Sequence, residues 1–166
     1  WSPAQVKSAL VNTSDLVVRN AFDAATTVGP QAQGAGREDL TEAATTDVTF
    51  WPTSASFGRI SASRTNPTTI AVRVSNLTGS ARTFAVEEMK FTPAGGALAA
   101  FNGGAIGGPD SRITTPSSIT VPAGSSATLA ITVNAGLPNG SVVQGWVQLT
   151  GGGDQYQVAY WAQVAP

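Results

Sequence analysis

Residues 117–133 read SSITVPAGSSATLAITV, and residues 141–164 read SVVQGWVQLTGGGDQYQVAYWAQV. In the first run Ile119 and Val121 alternate with polar neighbours. After the turn Pro122-Ala123-Gly124-Ser125, the residues Ala127, Leu129, Ile131 and Val133 do the same. An apolar residue at every second position marks a strand with one buried face. Four such runs, parted by Gly, Pro and Asn, predict an antiparallel all-β module. In the second run a hairpin loop at Gly151 to Asp154 sets Trp146 opposite Ala159 and Trp161 opposite Gln144. Val143, Val147, Leu149, Tyr156, Val158 and Tyr160 then face the core. Trp146 and Trp161 face the other way as diagonal neighbours, flanked by Gln144, Gln148, Gln157 and Gln163. An outward aromatic pair of this kind reads either as a sugar-stacking ligand platform or as a docking surface for the N-terminal helices or another domain.

Upstream, Val48 and Phe50 alternate in TDVTFWP, and SFGRISA follows. Thr68 to Ser75 reads as a strand with Ile70, Val72 and Val74 on one face. A turn at Asn76 to Ser80 and a return strand at Thr83 to Glu88, with Phe84 and Val86 inward, predict a β-hairpin. Phe91 to Arg112 is rich in Gly and Ala and reads as a long irregular connection with one short strand around Leu98 to Phe101.

Composition narrows the function classes. Of 166 residues 42% are hydrophobic and 11% charged, which suits a globular fold rather than a disordered chain. The net charge is −1, from 9 basic and 10 acidic residues, so nucleic acid finds no basic footprint. The sequence holds no Cys and no His, which excludes a thiol nucleophile, a Ser-His-Asp triad within these residues, and the commonest metal ligands. No apolar run approaches the roughly 20 residues of a membrane-spanning helix, so no membrane partner is expected. Glu87 and Glu88 are neighbours on a strand and point to opposite faces, so they cannot act as a carboxylate pair. Asp110 and Asp154 lie in Gly-rich loops without the spaced acidic cluster that calcium needs, and neither a metal nor a cofactor is expected. The hydroxyls of Ser2, Ser8 and Ser14 have only Lys7 and Lys90 as possible amine partners, which argues against a catalytic serine. Asn12-Thr13-Ser14 and Asn76-Leu77-Thr78 are glycosylation sequons.

The N-terminal stretch has its own logic. Ser2 suits a helix N-cap, Pro3 the first helical position, and Gln5 the return half of a capping box. Val6, Ala9, Leu10 and Thr13 then share a face, and the helix ends near Asn12 to Ser14. Such a short helix is marginal alone. Leu16 to Gln33 reads as a loop, Gly34-Ala35-Gly36 as a tight turn, and Arg37 to Ala44 as a short helix. The chain begins at Trp1 on the approach to a helix, which reads as a fragment or a processed product.

WSPAQVKSALVNTS followed by QGAGREDLTEA resembles the end of a subtilisin-like serine protease (subtilase) catalytic domain. Trp1, Ser2, Pro3, Val6, Lys7, Ser8, Ala9, Leu10 and Thr13 match the family's helix pattern, and Gly34, Ala35 and Gly36 its closing turn. Glu38 stands where the family usually has an apolar residue, with Asp39 next to it. The family's nucleophile motif, Gly-Thr-Ser-Met-Ala, and its Asp and His are not in this sequence, so no catalytic role carries over to any residue here. The later strands resemble the fibronectin type III-like β-sandwich that follows the catalytic domain in many large secreted subtilases. Ala159-Tyr160 replaces the usual Pro-Tyr.

The expected fold is therefore all-β, an immunoglobulin/fibronectin type III-like sandwich over 46–166, with a helical appendage over 1–45 from the tail of a catalytic domain. The resemblance implies a non-catalytic accessory domain of a secreted serine endopeptidase that braces the catalytic domain or positions substrate. Its partners would be that catalytic domain, through Val6, Ala9 and Leu10, and a protein substrate. In these residues alone, that helix face must pack on the sandwich, meet a second molecule or fray. The alternatives are a carbohydrate- or surface-binding module and an adhesion domain with an open strand edge.

Overall fold

A computed structural model describes residues 1–19, 26–95 and 103–166. Three short helices, α1 (Pro3–Asn12), α2 (Pro30–Gln33) and α3 (Leu40–Thr45), precede ten strands. These are β1 (Val48–Trp51), β2 (Ser54–Ser61), β3 (Thr68–Asn76), β4 (Arg82–Pro93), β5 (Gly104–Ile106), β6 (Ile113–Thr114), β7 (Ser118–Val121), β8 (Ser126–Val133), β9 (Val142–Gly151) and β10 (Asp154–Ala165). The strands form two sheets, one ordered β1-β3-β8-β6 and the other β2-β10-β9-β4-β5, with β7 also paired to β4. All pairings are antiparallel except that of β2 with β10. The architecture is the β-sandwich expected from the alternating runs.

The period-two residues build the core. Val72, Val74, Leu129, Ile131 and Val133 of the smaller sheet face Phe84, Val143, Val147, Leu149 and Val158 of the larger, all fully buried. Each contributes about 1.5–3 kcal/mol by leaving water. Tyr156 lies between Phe50 and Phe84, at centroid distances of 5.4 and 5.7 Å.

The hairpin expected over Thr68–Glu88 is not formed. β3 pairs with β1 and β8, whereas β4 pairs with β7 and β9, so residues 77–81 arch from one sheet to the other. Asn76 is the pin of that arch. Its Nδ2 donates to the carbonyls of Ser80 (2.7 Å), Val121 (3.2 Å) and Pro122 (3.3 Å), and its Oδ1 accepts from Thr78 N at 3.0 Å. Turn residues mark the reversal in either case; the strand pairings, with the bonds Asn76 makes across to Val121 and Pro122, distinguish an arch from a hairpin. The hairpin of β9 and β10 does form, in the register read from the sequence, with Trp146 against Ala159 and Trp161 against Gln144. Its tip is Gly152-Gly153, at φ 65° and 90°, which the primed two-residue turns require.

In place of a wholly irregular connection after Phe91, β4 continues to Pro93 and β5 pairs back onto it. The short strand expected at Leu98 to Phe101 lies outside the described residues. The connection then enters the sandwich through Asp110, which is 2% exposed. Arg112 grips that carboxylate with Nε and Nη2, both at 2.7 Å, Tyr160 donates to it at 2.8 Å, and Arg112 Nη1 donates to the carbonyl of Val142 at 2.7 Å. Burial alone would raise the Asp110 pKa, but the bonds from Arg112 and Tyr160 outweigh it and hold the carboxyl below its ordinary range. Burial, then the adjacent carboxylate, pushes the Tyr160 phenol upward.

Candidate functional site

Among the described residues of the N-terminal region, the Gly34-Ala35-Gly36 turn lies on the outer face of the larger sheet, and α1 lies along the edge of the sandwich between β1 and β10. α1 starts with the expected capping box, Gln5 N to Ser2 Oγ at 3.3 Å and Ser2 N to Gln5 Oε1 at 2.7 Å, with Pro3 at its first position. Its inward face is polar. Ser8 and Asn12 are each 1% exposed. Ser8 Oγ donates to Asn12 Oδ1 at 3.0 Å and accepts from Phe50 N at 2.6 Å. Asn12 Nδ2 donates to the carbonyls of Thr53 (2.9 Å) and Gln157 (2.8 Å). One side chain thus ties the helix to the start of β2 and to β10.

The Gly34-Ala35-Gly36 turn supplies the second attachment. Trp146 Nε1 donates to the carbonyl of Gly34 at 3.1 Å, and the Gln157 side-chain amide donates to the carbonyls of Ala35 (2.6 Å) and Ser14. A Cβ on Gly36 would lie 2.3 Å from the Asp15 carbonyl, because the backbones of Asp15 and Arg37 bond each other there. Trp146 itself is fully buried. It meets Phe91 edge-on at 6.5 Å, with Ala159, Met89, Leu16 and Ile106 around it.

The surface read as either a ligand platform or a docking surface for the N-terminal helices is thus occupied at Trp146 by N-terminal residues of the same chain. Trp146 and Trp161 do face away from the core, but Trp146 is fully buried, under Leu16 and the Gly34 carbonyl of the N-terminal segment together with Phe91, Met89 and Ile106. Trp161 is half-buried beside Lys7, Val11 and Pro30. No carbohydrate can stack on the indole of Trp146 while that cover is in place. Among the described residues no group of three or more acidic side chains is placed to hold a metal ion. Asp110 is engaged by Arg112 and Tyr160, and Asp154 by Arg82. No described helix is long and apolar enough to cross a membrane.

The three residues of α1 expected to meet a catalytic domain are divided. Ala9 is buried, Leu10 half-buried, and Val6 46% exposed. α1 shows its polar side to the sandwich and turns Val6 and Leu10 outward. With Trp1, which is 62% exposed, and with Leu40, Ala43 and Ala44 of α3, they line an open apolar groove. Asp39 caps α3 beside it, accepting from Thr41 N and Glu42 N at 2.9 and 3.0 Å. The sequence offered Ser8 only as a hydroxyl without a base and as a helix-pattern residue, and Asn12 only as a sequon and a helix end, not as the pair that docks the helix. Their i, i+4 spacing puts them on one face, but Asn12 reads as a helix terminus.

The sequence model of the Fn3-like domain matches residues 55–161. No curated protein shows significant similarity to the chain. Solved structures of similar shape include a chaperone–tip adhesin complex of CFA/I fimbriae, with TM-score 0.54 at 14% identity over 72% of this chain and 59% of that one. The CsuC–CsuE chaperone–tip adhesion subunit complex of Acinetobacter baumannii follows at 0.52 and 16%, over 72% and 53%. The class 5 fimbriae chaperone CfaA gives 0.51 and 13%, over 72% and 57%. The chain spans little more than half the length of these structures, and at such identities the likeness is one of fold. On the family match, which takes in both sheets, the chain belongs to the Fn3-like domain family.

Proposed function

We propose that the chain is a non-catalytic accessory region of a secreted subtilisin-like serine endopeptidase, and that its sandwich braces the catalytic domain. The observation that carries this is the orientation of α1. Its polar face, through Ser8 and Asn12, is bonded to the sandwich, and its apolar face, with Val6 and Leu10, is left open beside Trp1 and Leu40. A helix that matches the subtilase pattern and exposes its apolar side is placed to be shared by two bodies. The catalytic domain would cover Val6 and Leu10, while Asn12 holds the same helix against β2 and β10. The orientation of the two would then be fixed by one rigid element rather than a tether. Positioning of a protein substrate would follow from that fixed geometry.

The test is in two steps. The coding sequence just upstream of Trp1 should contain Gly-Thr-Ser-Met-Ala, preceded by Asp- and His-bearing motifs. In that longer protein, Leu10→Asp should lower the Tm of the catalytic domain and its peptide hydrolysis together. An upstream region holding only a linker or another sandwich would overturn the reading.

A further inference from the structure

The smaller sheet carries a second, polar groove on its outer side. Its floor is the cross-strand pair Thr49 and Ser75, and the next pair, Trp51 and Arg73, closes one end. Ser2, Ala4 and Gln5 of the first turn of α1 form the wall. Trp51 is 51% exposed, although tryptophan is a residue that folding normally hides. Arg73 is exposed and, among the described residues, makes no ion pair. No acidic side chain lines the groove. The Gln5 carbonyl oxygen is taken by Ser2 N, which leaves its NH2 group as the donor open to a ligand.

An open indole face beside an unpaired guanidinium, above hydroxyls and an amide, fits one kind of ligand well. A pyranose ring presents a C–H face that packs on an indole, hydroxyls that pair with Ser75 and Gln5, and, in a uronic acid, a carboxylate that a guanidinium binds by two bonds. We propose that this groove binds an acidic sugar residue of a polysaccharide, with Trp51 as the platform and Arg73 as the carboxylate partner. The site is separate from the buried Trp146 and from the apolar groove of α1 and α3. An acidic peptide would satisfy Arg73 but would leave the ring face unused.

Titration of the 166-residue chain with polygalacturonate, followed by calorimetry and tryptophan fluorescence, tests this. Dextran and polyglutamate serve as the neutral and the non-sugar comparators. Polygalacturonate is expected to bind and dextran to bind far less. Trp51→Ala and Arg73→Gln should each weaken polygalacturonate at least about ten-fold with Tm unchanged, the size expected for losing one ring stack or one charge-assisted pair. Absence of polygalacturonate binding overturns the proposal. So does equal binding of polyglutamate that survives Trp51→Ala, since that would be charge attraction alone.

Discussion

One amide, that of Asn12, holds the N-terminal helix to two strands. Asn12→Ala would leave the Thr53 and Gln157 carbonyls unpaired in a buried place, at a cost of about 2 kcal/mol in a denaturant midpoint series. Asp110 is the second residue on which the fold leans. Asp110→Asn breaks its pair with Arg112 and should cost about 2–3 kcal/mol, below the full range for a buried pair because Arg112 keeps some access to water. The sign of its pH effect follows from the lowered pKa. The ionised carboxylate stabilises the fold above the ordinary value of 3.8, and that contribution is lost as pH falls through the depressed native value. Thermal scans between pH 5 and pH 2 should therefore show the natural chain losing stability on acidification more steeply than Asp110→Asn. Little of this was legible in the sequence, where Asp110 reads as one more loop aspartate. Its partner Tyr160 lies on the last strand, 50 positions away, and no local pattern links the two.

Strands were far more legible than the way they connect. Alternation in SATLAITV and in SVVQGWVQLT fixes which residues face the core because the strand period is geometric. It says nothing about which sheet a strand joins, so the arch after β3 reads as a hairpin until Asn76 is seen bonding to Val121. The pairing of β9 and β10 also hides a demand for close approach. Gly145 lies opposite Tyr160, and a Cβ there would stand 2.3 Å from the Met89 carbonyl and 2.5 Å from the Tyr160 hydroxyl. Gly145→Ala should cost about 2–3 kcal/mol by forcing three strands apart. Gly79→Ala, where nothing lies within 4 Å, should stay within about 0.5 kcal/mol. Chemical denaturation of the two variants side by side checks the contrast.

Viewed whole, the molecule is a sandwich whose outer aromatic face is covered by Leu16 and the Gly34-Ala35-Gly36 turn of its N-terminal region. A chain begun at Thr46 would uncover Trp146, Phe91, Gln144 and Gln157 together. It should bind a hydrophobic dye and aggregate, and a soluble, dye-silent truncated chain would show that the sandwich does not need its cover. The direction in which Trp146 points was readable from its register, and a cover of N-terminal residues was one of its two readings; that the Gly34 carbonyl supplies it was not, because that residue lies 112 positions earlier. The two pinned asparagines carry a last consequence for how the protein can be made. Asn12 and Asn76 each begin an acceptor triplet for oligosaccharide transfer, and each is 1% exposed with its amide nitrogen fully engaged. In a eukaryotic secretory host, folding and the transferase would compete for the same nitrogen atoms. A chain that folds first leaves the host bare of sugar, and one that is modified first has lost both pins before it can fold.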